Sequence, residues 1–446
     1  MNFVIIGGDA AGMSAASRAK RNSPATHVTV LEMTDDVSYS ACGMPYNIAD
    51  AARDMNDLIV RRAETFREKQ GIDLRTGHRA TEIDRARKLV HGIDRKGARF
   101  SVPYDALLIA TGASPMMPDI PGIDSKGVMS LKSLEDGRRL KAFIEGGVRK
   151  AVIIGMGYIA LEMCEALHER GIDVSLVKPG PTFLRWMHRD MAGVVQAEIE
   201  SKGAAMYPGW EIQEIHPDGG FLRVRCSGGL DLHGDLVLAA VGVKPNSRLA
   251  GEAGIELGPA GAVAVDGFCR TSDPAIYSAG DCADAFHVVT GDRTWIPLAL
   301  RANRAGWAAA DNMTGVESEL DGVAGTAVFK VFDLQVARTG LGVPEAEKAG
   351  FDPAEVVIES TSRGYKHPGG SPVYAQMVGD RKSGRMLGAQ IVSKEGAAHR
   401  INAAAVALHQ KMTVEAFSQC DLAYAPPFGP TWDPLLIASN QLLKAL

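Results

Sequence analysis

One cysteine in the segment SYSACGMPYN, residues 38–47, is the residue best suited to redox chemistry. Thiol–disulfide chemistry commonly uses two cysteines that are close in sequence, as in CxxC. No second cysteine accompanies Cys42, and the position where a CxxxxC pair would close is Asn47. Cys42 is therefore either a packing residue or a thiol that reacts alone. The remaining cysteines have no regular spacing and are interpreted as packing residues: Cys164, Cys226, Cys269, Cys282 and Cys420.

Composition and charge exclude several classes of protein. The 446 residues are enough for two or three domains, and 46% hydrophobic with 23% charged residues is typical of a soluble globular protein. The net charge of −5 argues against binding nucleic acid, and no apolar run reaches the roughly 18 residues that span a bilayer. The eleven histidines form no cluster with the cysteines, so we predict no metal. We expect a cytoplasmic protein with reduced thiols and without nucleic-acid or membrane partners.

The elements that would position Cys42 begin with a dinucleotide-binding unit. FVIIGGDAAGMSAASRAKR reads as an apolar strand, a glycine turn and a helix whose free N–H groups can bind a pyrophosphate. Asp9 replaces the usual second glycine of this fingerprint. The strand HVTVLE then ends in a carboxylate that can accept hydrogen bonds from a ribose. The predicted cofactor-binding residues here are Gly7, Gly8, Asp9, Ala10, Ala11, Gly12, Glu32 and Met33.

The same pattern recurs in RKAVIIGMGYIALEMCEALHERGIDVSLVK. Its predicted cofactor-binding residues are Gly155, Gly157, Tyr158, Ala160 and Lys178. Lys178 stands where the first unit has Glu32, and a lysine can pair with a 2′-phosphate that a carboxylate would repel. This favours NADPH over NADH, with a solvated lysine at a strand end as the alternative.

Two dinucleotide sites in one chain suggest one tightly held and one exchanging cofactor. YDALLIATGASP, DLVLAAVGVKPN and IYSAGDCA each read as a strand that ends in a glycine turn, and their order fits FAD at the first site. Asp281 would lie at a helix start near a ribityl or phosphate group. Further predicted cofactor-binding residues are Ser40, Thr111, Gly112, Gly242, Gly280 and Asp281.

Five segments together resemble the pyridine nucleotide–disulfide oxidoreductase family: IIGGDAAG, LIATGASP, GMGYIALE, AVGVKPN and SAGDCA. WIPLALRANRAG is similar to the family's segment beneath the flavin, which implies cofactor contacts from Pro297, Leu298 and Ala299. The residues after about 325 resemble the family's dimerisation domain. The resemblance implies an α/β fold with two Rossmann-like dinucleotide-binding domains, for FAD and NAD(P), plus a C-terminal α+β dimerisation domain.

The predicted FAD-binding domain is discontinuous and comprises residues 1–112 and 247–323. The NAD(P)H-binding domain is predicted at 113–246 and the dimerisation domain at 324–446. The link PMMPDIPGIDSKG is rich in Pro and Gly, which suits a crossing between domains.

Within the family, the pattern SxxxCGxPY resembles the single-cysteine branch and is matched by Ser38, Cys42, Gly43, Pro45 and Tyr46. That branch includes coenzyme A-disulfide reductases, coenzyme A persulfide reductases, and NADH oxidases and peroxidases. LAYAPPFGPTWDP, residues 422–434, resembles the C-terminal signature of the first group. The resemblance implies that Cys42 lies beside the flavin at a helix N-terminus, where the dipole would stabilise a thiolate. It also implies that Cys42 forms either a mixed disulfide with a small thiol or a sulfenic acid.

Two tyrosines are the predicted proton donors for a leaving thiolate. The resemblance implies that Tyr424 reaches the cysteine of the partner subunit in a homodimer. Tyr365 is the second candidate, although relatives often carry Tyr-Tyr-Pro-Gly where this chain has Lys366 and His367 before Pro-Gly. This departure favours a more anionic or sulfur-rich substrate, such as a persulfide.

Coenzyme A would also require cations for its phosphates. Arg18 and Arg21 are three residues apart on one helix face, which Ser14 shares, and they match positions that the reductases use. A solvated helix end is the alternative interpretation. The predicted substrate-binding residues are Ser14, Arg18, Arg21, Ser38, Arg61, Arg62 and Lys69.

Three functions remain open at this point. The first is an FAD-dependent NAD(P)H reductase of coenzyme A disulfide or of a coenzyme A persulfide or polysulfide. The second is an NAD(P)H oxidase or peroxidase that uses a Cys42 sulfenic acid. The third is a flavoprotein that senses redox state without catalysis.

Overall fold

A buried strand, a glycine turn and a helix begin the chain, as the sequence predicts. The computed structural model describes all residues, 1–446. The first 112 residues contain the strands β1 (Asn2–Ile6), β2 (His27–Leu31), β3 (Asp73–Arg75), β4 (His78–Asp84), β5 (Leu89–Asp94), β6 (Arg99–Pro103) and β7 (Ala106–Ile109). Their helices are α1 (Ala10–Asn22) and α2 (Met44–Ala49), and a 3-10 turn, Ala41–Gly43, precedes α2.

Residues 113–246 repeat the strand–turn–helix pattern. The strands are β8 (Ala113–Pro115), β9 (Val128–Met129), β10 (Lys150–Ile154), β11 (Asp173–Lys178), β12 (Ala205–Pro208), β13 (Ile212–Asp218), β14 (Phe221–Cys226), β15 (Asp231–Gly234), β16 (Leu236–Ala239) and β17 (Val243–Pro245). The helices are α3 (Leu134–Glu145), α4 (Tyr158–Glu169) and α5 (Arg189–Ser201).

The remaining residues contain eight strands and six helices in two groups. Residues 247–323 contain α6 (Arg248–Glu252), β18 (Ile276–Ser278), β19 (Ala285–Phe286), β20 (Arg293–Thr294) and α7 (Ala299–Met313). After them come β21 (Ala327–Val331), β22 (Leu334–Gly340), α8 (Val343–Lys348), β23 (Pro353–Thr361), β24 (Pro372–Asp380), β25 (Met386–Ser393), α9 (Ala397–His409), α10 (Val414–Ser418) and α11 (Pro434–Leu442).

Three five-stranded sheets organise these elements. The order β18-β7-β1-β2-β3 and the order β12-β11-β10-β16-β9 are both parallel throughout, with a helix crossing over between the central strands. The third sheet, β21-β22-β25-β24-β23, is antiparallel. Each sheet takes all its strands from one of the predicted domains. The expected fold class, two Rossmann-type sheets followed by a mixed α+β unit, is confirmed.

Both parallel sheets have the same glycine turn between their first long strand and the helix that follows it. Gly7 and Gly155 have φ values of +112° and +117°, and a Cβ at either position would overlap the carbonyl oxygen of Ala110 or Ala240 respectively. Any side chain would therefore push the turn away from the neighbouring strand. The turn consequently lies close against the sheet, and the N-terminus of the next helix faces the carboxyl edge of the strands.

Helices α1 and α7 pack together through small residues and form one wall of the site. Ala15, Ala302 and Ala305 are almost fully buried, and a Cβ on Gly306 would overlap the backbone of Ala11. This close approach leaves the outer faces of both helices beside the loop that carries Cys42. The hydrogen bonds that join the two helices connect residues about 290 positions apart in the sequence. This wall of the site therefore forms only when the tertiary structure forms.

Candidate active site

Cys42 lies in the 3-10 turn before α2, and its side chain is open to a cavity of about 500 Å³. The cavity is bounded by α1, by α7, by the loop that carries Cys42 and by residues 60–66. Nine predicted site residues line it: Asp9, Ala10, Ser14, Arg21, Ser38, Ser40, Cys42, Arg61 and Ala299. The geometry therefore brings the thiol, two arginines and three serines to one volume.

Eight further lining residues were not predicted from the sequence: Met13, Ser17, Tyr39, Ala41, Val60, Phe66, Asn303 and Trp307. Ser14 Oγ donates a hydrogen bond of 2.6 Å to Asn303 Oδ1, which joins α1 to α7 at the cavity wall. Ala299, Asn303 and Trp307 are four residues apart and thus share one face of α7. That spacing is a sequence signal that could have identified the α7 wall.

Arg18 lies outside the cavity lining. Its guanidinium forms two hydrogen bonds with Asp311 on α7, of 2.6 and 3.1 Å, and lies over the ring of Trp307. Arg21 and Arg61 form no ion pair and are exposed. Arg62 and Lys69 are also exposed, and neither lines the cavity. The cations available to a ligand inside the cavity are thus Arg21 and Arg61.

Asn47 occupies a structural position rather than one that faces Cys42. It is fully buried, its Nδ2 donates 2.8 Å to the carbonyl of Asp54, and its Oδ1 accepts 3.1 Å from Lys141. Both ends of the amide are therefore satisfied, one by the segment after α2 and the other by Lys141 of α3. The residue at the CxxxxC position takes part in the fold, while Cys42 faces the cavity without a second thiol.

The electrostatic surroundings of Cys42 differ from the expectation of a thiolate favoured by a helix dipole. Removal from bulk water raises the pKa of the Cys42 thiol, and the carboxylate of Glu162 raises it further. Lys132 acts in the opposite direction. Cys42 lies in a three-residue 3-10 turn, and α2 after it has only six residues. The dipole of so short a helix is small, so it does not offset the effect of burial on the thiol pKa.

Acidic groups surround the first glycine turn. Glu32 accepts 2.7 Å hydrogen bonds from the backbone N–H groups of Gly8 and Thr34. Asp281, after β18, pairs with Lys132 at 2.9 Å, and its backbone carbonyl oxygen accepts a hydrogen bond of 2.9 Å from the indole N–H of Trp295. Burial raises the pKa of Asp9 to about 6, with smaller contributions from Glu32 and Asp281.

The other predicted residues of the first unit lie around this turn or at strand ends. Thr111 follows β7 and forms two hydrogen bonds with Asn246, of 2.6 and 2.9 Å. Gly112 therefore lies where the chain leaves the first predicted domain, beside the point where it returns. Met33 is largely exposed after β2. The rest are in the turns or helix starts: Gly7, Gly8, Ala11, Gly12, Gly242, Gly280 and Pro297.

The second nucleotide unit places two cations near each other without a carboxylate partner. Lys178 Nζ donates 2.7 Å to the carbonyl of Thr182, and burial together with nearby Arg185 lowers the lysine pKa. Arg185, missed from the sequence, is exposed and has no hydrogen-bonding partner. Two uncompensated positive charges at the carboxyl end of β11 can bind an anion.

Tyr158, at the start of α4 beside Gly155, Gly157 and Ala160, borders a second cavity of about 330 Å³. Its ring stacks on Phe329 of β21, with 4.9 Å between ring centroids. Leu298 also lines this cavity, together with His287, Arg338 and Glu345, which the sequence did not identify. The cavity thus lies where all three predicted domains meet.

The two predicted catalytic tyrosines lie outside both cavities. Tyr424 is half exposed, and Tyr365 is 89% exposed with Lys366 over its ring. Phe428 and Trp432 of the same C-terminal segment are also exposed, and Arg400 fixes the segment by hydrogen bonds of 2.8 Å to Phe428 O and Asp433. In a single chain, neither tyrosine meets Cys42.

Outside these regions, Glu82, Asp84 and His91 come together on the β4–β5 hairpin. Asp84 is hydrogen-bonded there to Arg87.

None of the helices combines the length and the apolar character needed to cross a membrane.

Known proteins resemble this arrangement along the whole chain. Sequence profiles of the pyridine nucleotide-disulphide oxidoreductases match residues 1–306, and those of the family's dimerisation domain match residues 326–434. The chain belongs to the pyridine nucleotide-disulphide oxidoreductase family. The predicted family is therefore confirmed, and this family implies FAD and NAD(P)H as cofactors.

Three relatives illustrate the range of named activities. The NAD(P)H sulfur oxidoreductase (CoA-dependent) of Pyrococcus abyssi is 36% identical over 449 residues, which cover 98% of this chain and 97% of that protein. An NADH oxidase of Methanocaldococcus jannaschii is 33% identical over 452 residues, covering 100% and 99%. The solved structure of an NAD-dependent persulfide reductase from A. fulgidus has a TM-score of 0.96 at 36% identity and covers 100% of this chain and 83% of that one.

The first nucleotide unit fits the FAD that the family implies. The turn at Gly7 leaves no room for a Cβ against the neighbouring strand, so backbone N–H groups rather than side chains face the position of a pyrophosphate. Glu32 is held at the same turn as a hydrogen-bond acceptor suited to ribose hydroxyls. Lys132, paired with Asp281 beside Cys42, supplies a cation that the sequence did not identify.

Proposed function

We propose that the protein is an FAD-dependent NAD(P)H oxidoreductase that reduces coenzyme A disulfide, or a coenzyme A persulfide or polysulfide, through Cys42. The observation that carries this proposal is the single thiol at the edge of a cavity that also holds Arg21 and Arg61 without ion-pair partners. A cavity of about 500 Å³ with free arginines suits a thiol compound with phosphate groups. The names of the Pyrococcus abyssi and A. fulgidus proteins support the same substrate class.

Each cavity residue has a proposed role. Ser14, Ser38 and Asn303 orient the substrate by hydrogen bonds, while Arg21 and Arg61 pair with its phosphates. Arg18 holds α1 against α7, and Arg62 and Lys69 extend the positive charge at the cavity's outer edge. FAD, when bound, supplies transfer of two electrons between a nicotinamide and a sulfur atom.

Cys42 performs the covalent step. Its thiolate attacks one sulfur of the substrate disulfide, which forms a Cys42–substrate mixed disulfide and releases the other half as a thiolate. In a persulfide the attack is on the outer sulfur, so the released group is the coenzyme A thiolate. Two electrons from NAD(P)H then break the new S–S bond, which regenerates the Cys42 thiolate and releases the bound half, as a coenzyme A thiolate from the disulfide or as hydrogen sulfide from the persulfide. The absence of a cysteine at position 47 prevents an internal disulfide from competing with the mixed disulfide.

A homodimer would complete the site. Tyr424 and Tyr365 would each reach the cavity of the partner subunit and give a proton to the leaving thiolate. The exposure of both tyrosines in one chain supports this, as does the match to a dimerisation domain. Lys366 and His367 beside Tyr365 add positive charge, which favours a persulfide or another anionic sulfur substrate.

NADPH is the proposed electron donor, because Lys178 and Arg185 lie at the end of β11 without a carboxylate. The sheet's carboxyl edge is where the adenosine ribose of a dinucleotide binds in such folds. We also infer a cytoplasmic location, since all six cysteines are free thiols.

A second candidate is an NAD(P)H oxidase or peroxidase in which peroxide converts Cys42 to a sulfenic acid. The NADH oxidase of Methanocaldococcus jannaschii, similar over the whole chain, favours it. The same thiol and the same cofactors would serve, but the arginines of the cavity would have no role.

The two candidates are separated by anaerobic oxidation of NADPH and of NADH, with coenzyme A disulfide, with coenzyme A persulfide, and with neither. We expect fast turnover only with a coenzyme A substrate, lost in Cys42→Ser and retained in the control Cys420→Ser, whose thiol lies in the C-terminal domain. Turnover that needs air and is indifferent to coenzyme A would instead establish the oxidase.

A further inference from the structure

Two helices form the long wall of the cavity that contains Cys42. Ser14 of α1 hydrogen-bonds to Asn303 of α7, and Arg18, one turn later on α1, hydrogen-bonds to Asp311. The residue numbers of both partners rise together, so α1 and α7 run in the same direction. The cavity therefore has one end where both helices begin and another end towards their carboxyl termini.

The thiol and the free arginine of α1 lie at opposite ends of this wall. The loop that carries Cys42 is joined to the start of α1, where Asp9 Oδ1 accepts a hydrogen bond of 3.2 Å from the backbone N–H of Tyr39. Arg21 and Trp307 line the same cavity and lie about 12–16 Å along the helices from their first residues, at a rise of about 1.5 Å per residue. A ligand that reaches both ends must therefore be long.

Trp307 offers the largest aromatic surface that a ligand in the cavity can reach. It is 48% exposed, whereas Phe66 is 1% exposed and Tyr39 is half-buried at the thiol end. The guanidinium of Arg18 lies over the indole, 5.9 Å from the ring centroid, and is itself held by two hydrogen bonds to the buried Asp311. This cation fixes the indole from one face and leaves the other face for a flat group.

We infer that Trp307 is the platform on which the adenine base of coenzyme A stacks, while the sulfur lies at Cys42 and the phosphates at Arg21 and Arg61. The inference rests on the proposed function. Coenzyme A carries its thiol at one end of a long arm and its nucleotide at the other, which matches the two ends of the cavity. A base stacks favourably on an aromatic side chain without any hydrogen-bond partner. In the proposed homodimer, the partner would close the cavity over the stacked base.

Arg18 is a positioning residue in this arrangement. It lies outside the cavity lining, so it acts on the substrate through the orientation of Trp307 rather than by pairing with a phosphate. The bond to Asp311 keeps the guanidinium in place when the cavity is empty. The base therefore meets a ring that is already ordered, which lowers the entropic cost of binding.

The test is calorimetric binding of coenzyme A and of 4′-phosphopantetheine to the FAD-loaded Cys42→Ser protein, which keeps the cavity but cannot form a mixed disulfide. 4′-Phosphopantetheine has the arm and one phosphate but no base. Trp307→Leu should raise the Kd of coenzyme A about five- to fiftyfold and leave that of 4′-phosphopantetheine within twofold. Trp307→Phe keeps a flat ring and should retain most of the affinity. Val316→Ala, an exposed apolar residue just after α7, is the control and should change neither Kd.

Arg18→Lys tests the support of the ring. It keeps a positive charge beside Asp311 but lacks the planar guanidinium, so coenzyme A binding should weaken about two- to fivefold, and only while Trp307 is present.

Three results would overturn the inference. They are equal losses for the two ligands in Trp307→Leu, an unchanged Kd for coenzyme A, or loss of the dimer in sedimentation, which would make Trp307 an interface residue. If neither ligand binds the Cys42→Ser parent, the proposed function fails as well. If both bind but Trp307→Leu has no selective effect, only the stacking fails.

Discussion

Asp9 is the side chain that most directly opposes an anion at the first nucleotide-binding turn. It stands before α1, where a glycine is usual, and its Oδ1 accepts a hydrogen bond of 3.2 Å from the backbone N–H of Tyr39. Asp9 thereby links the turn to the loop that carries Cys42. Burial raises its pKa to about 6, from an ordinary value of 3.8, so the folded chain binds a proton here more tightly than the unfolded chain.

This difference predicts the effect of Asp9→Asn on the flavin-free protein. A folded-state pKa above the unfolded value means that ionisation of Asp9 opposes folding increasingly as the pH rises from about 4 to 6. The variant should be more stable by about 2–3 kcal/mol at pH 8, and by about a third of that at pH 4.5. Urea unfolding at the two pH values measures this. The exposed Asp119→Asn is the control, and a pH-independent gain for Asp9→Asn would contradict the burial of its charge.

A second residue-scale prediction concerns Lys178. If Lys178 and Arg185 pair with a 2′-phosphate, Lys178→Asp should lower kcat/KM for NADPH by about ten- to a hundredfold and leave NADH less affected. Lys150→Asp, at the amino-terminal end of β10 in the same sheet, is the charge-matched control. Equal losses for NADPH and NADH in Lys178→Asp would support the interpretation of a solvated lysine.

The site residues predicted from the sequence are those whose signal is local, and the prediction omitted residues that depend on distant contacts. Cys42, the glycine turns and Lys178 were all recognisable from spacing within about thirty residues. Asn303 and Arg185 were not, because each acquires its role only once α7 meets α1 or a loop folds over β11. Arg18 matched a helical face, yet its Asp311 partner lies 293 residues away and turns it from the cavity.

At the scale of elements, cations cap the carboxyl end of α2, the helix that follows Cys42. Lys141 of α3 is buried and donates to the carbonyl oxygens of Asn47 at 2.9 Å, Asp50 at 2.7 Å and Arg53 at 2.5 Å. Arg170 donates 3.0 Å to the carbonyl of Ile48. These bonds satisfy the free carbonyl groups at the helix end and fix the loop in place.

Lys141→Met should therefore disturb the segment that follows α2, residues 50–54, as well as lower the stability of the fold. Three carbonyl groups, of which the one of Asn47 is buried, would lose their donor, which costs about 3 kcal/mol. We expect a lower urea midpoint, with Lys126→Met, an exposed lysine, unchanged. Proteolysis within residues 47–54 should also accelerate, because the loop loses its anchor. An unaltered cleavage rate together with normal stability would contradict this role.

The repeated glycine turn gives a prediction that separates folding from nucleotide binding. Gly155→Ala places a Cβ on the carbonyl of Ala240 in a left-handed backbone and should lower stability by several kcal/mol. Gly157→Ala meets no protein atom within 4 Å and should fold normally. It should nevertheless weaken NADPH binding, because the added methyl lies where the backbone approaches a pyrophosphate. Normal NADPH affinity in Gly157→Ala, measured by calorimetry, would argue against binding at this turn.

At the scale of the whole molecule, one chain leaves two surfaces incomplete. Val60, Leu300 and Trp307 are exposed around the Cys42 cavity, and Tyr365, Tyr424, Phe428 and Trp432 are exposed in the C-terminal segment. Exposed clusters of apolar and aromatic side chains are typical of protein–protein contacts. The proposed homodimer would cover both surfaces, and the sequence could anticipate it only through family resemblance, because no local pattern encodes a partner's position.

Mixed dimers test this arrangement directly. In a dimer of one Cys42→Ser subunit and one Tyr424→Phe subunit, a tyrosine that acts across the interface leaves one site with both Cys42 and Tyr424 intact. Such a dimer, isolated with two affinity tags, should have about half of the activity of the unchanged dimer, although each variant homodimer has at least tenfold less. If Tyr424 served its own chain, every working cysteine would lack its tyrosine. Activity would then be no more than half of that of the Tyr424→Phe homodimer, which would place the complete site within a single subunit.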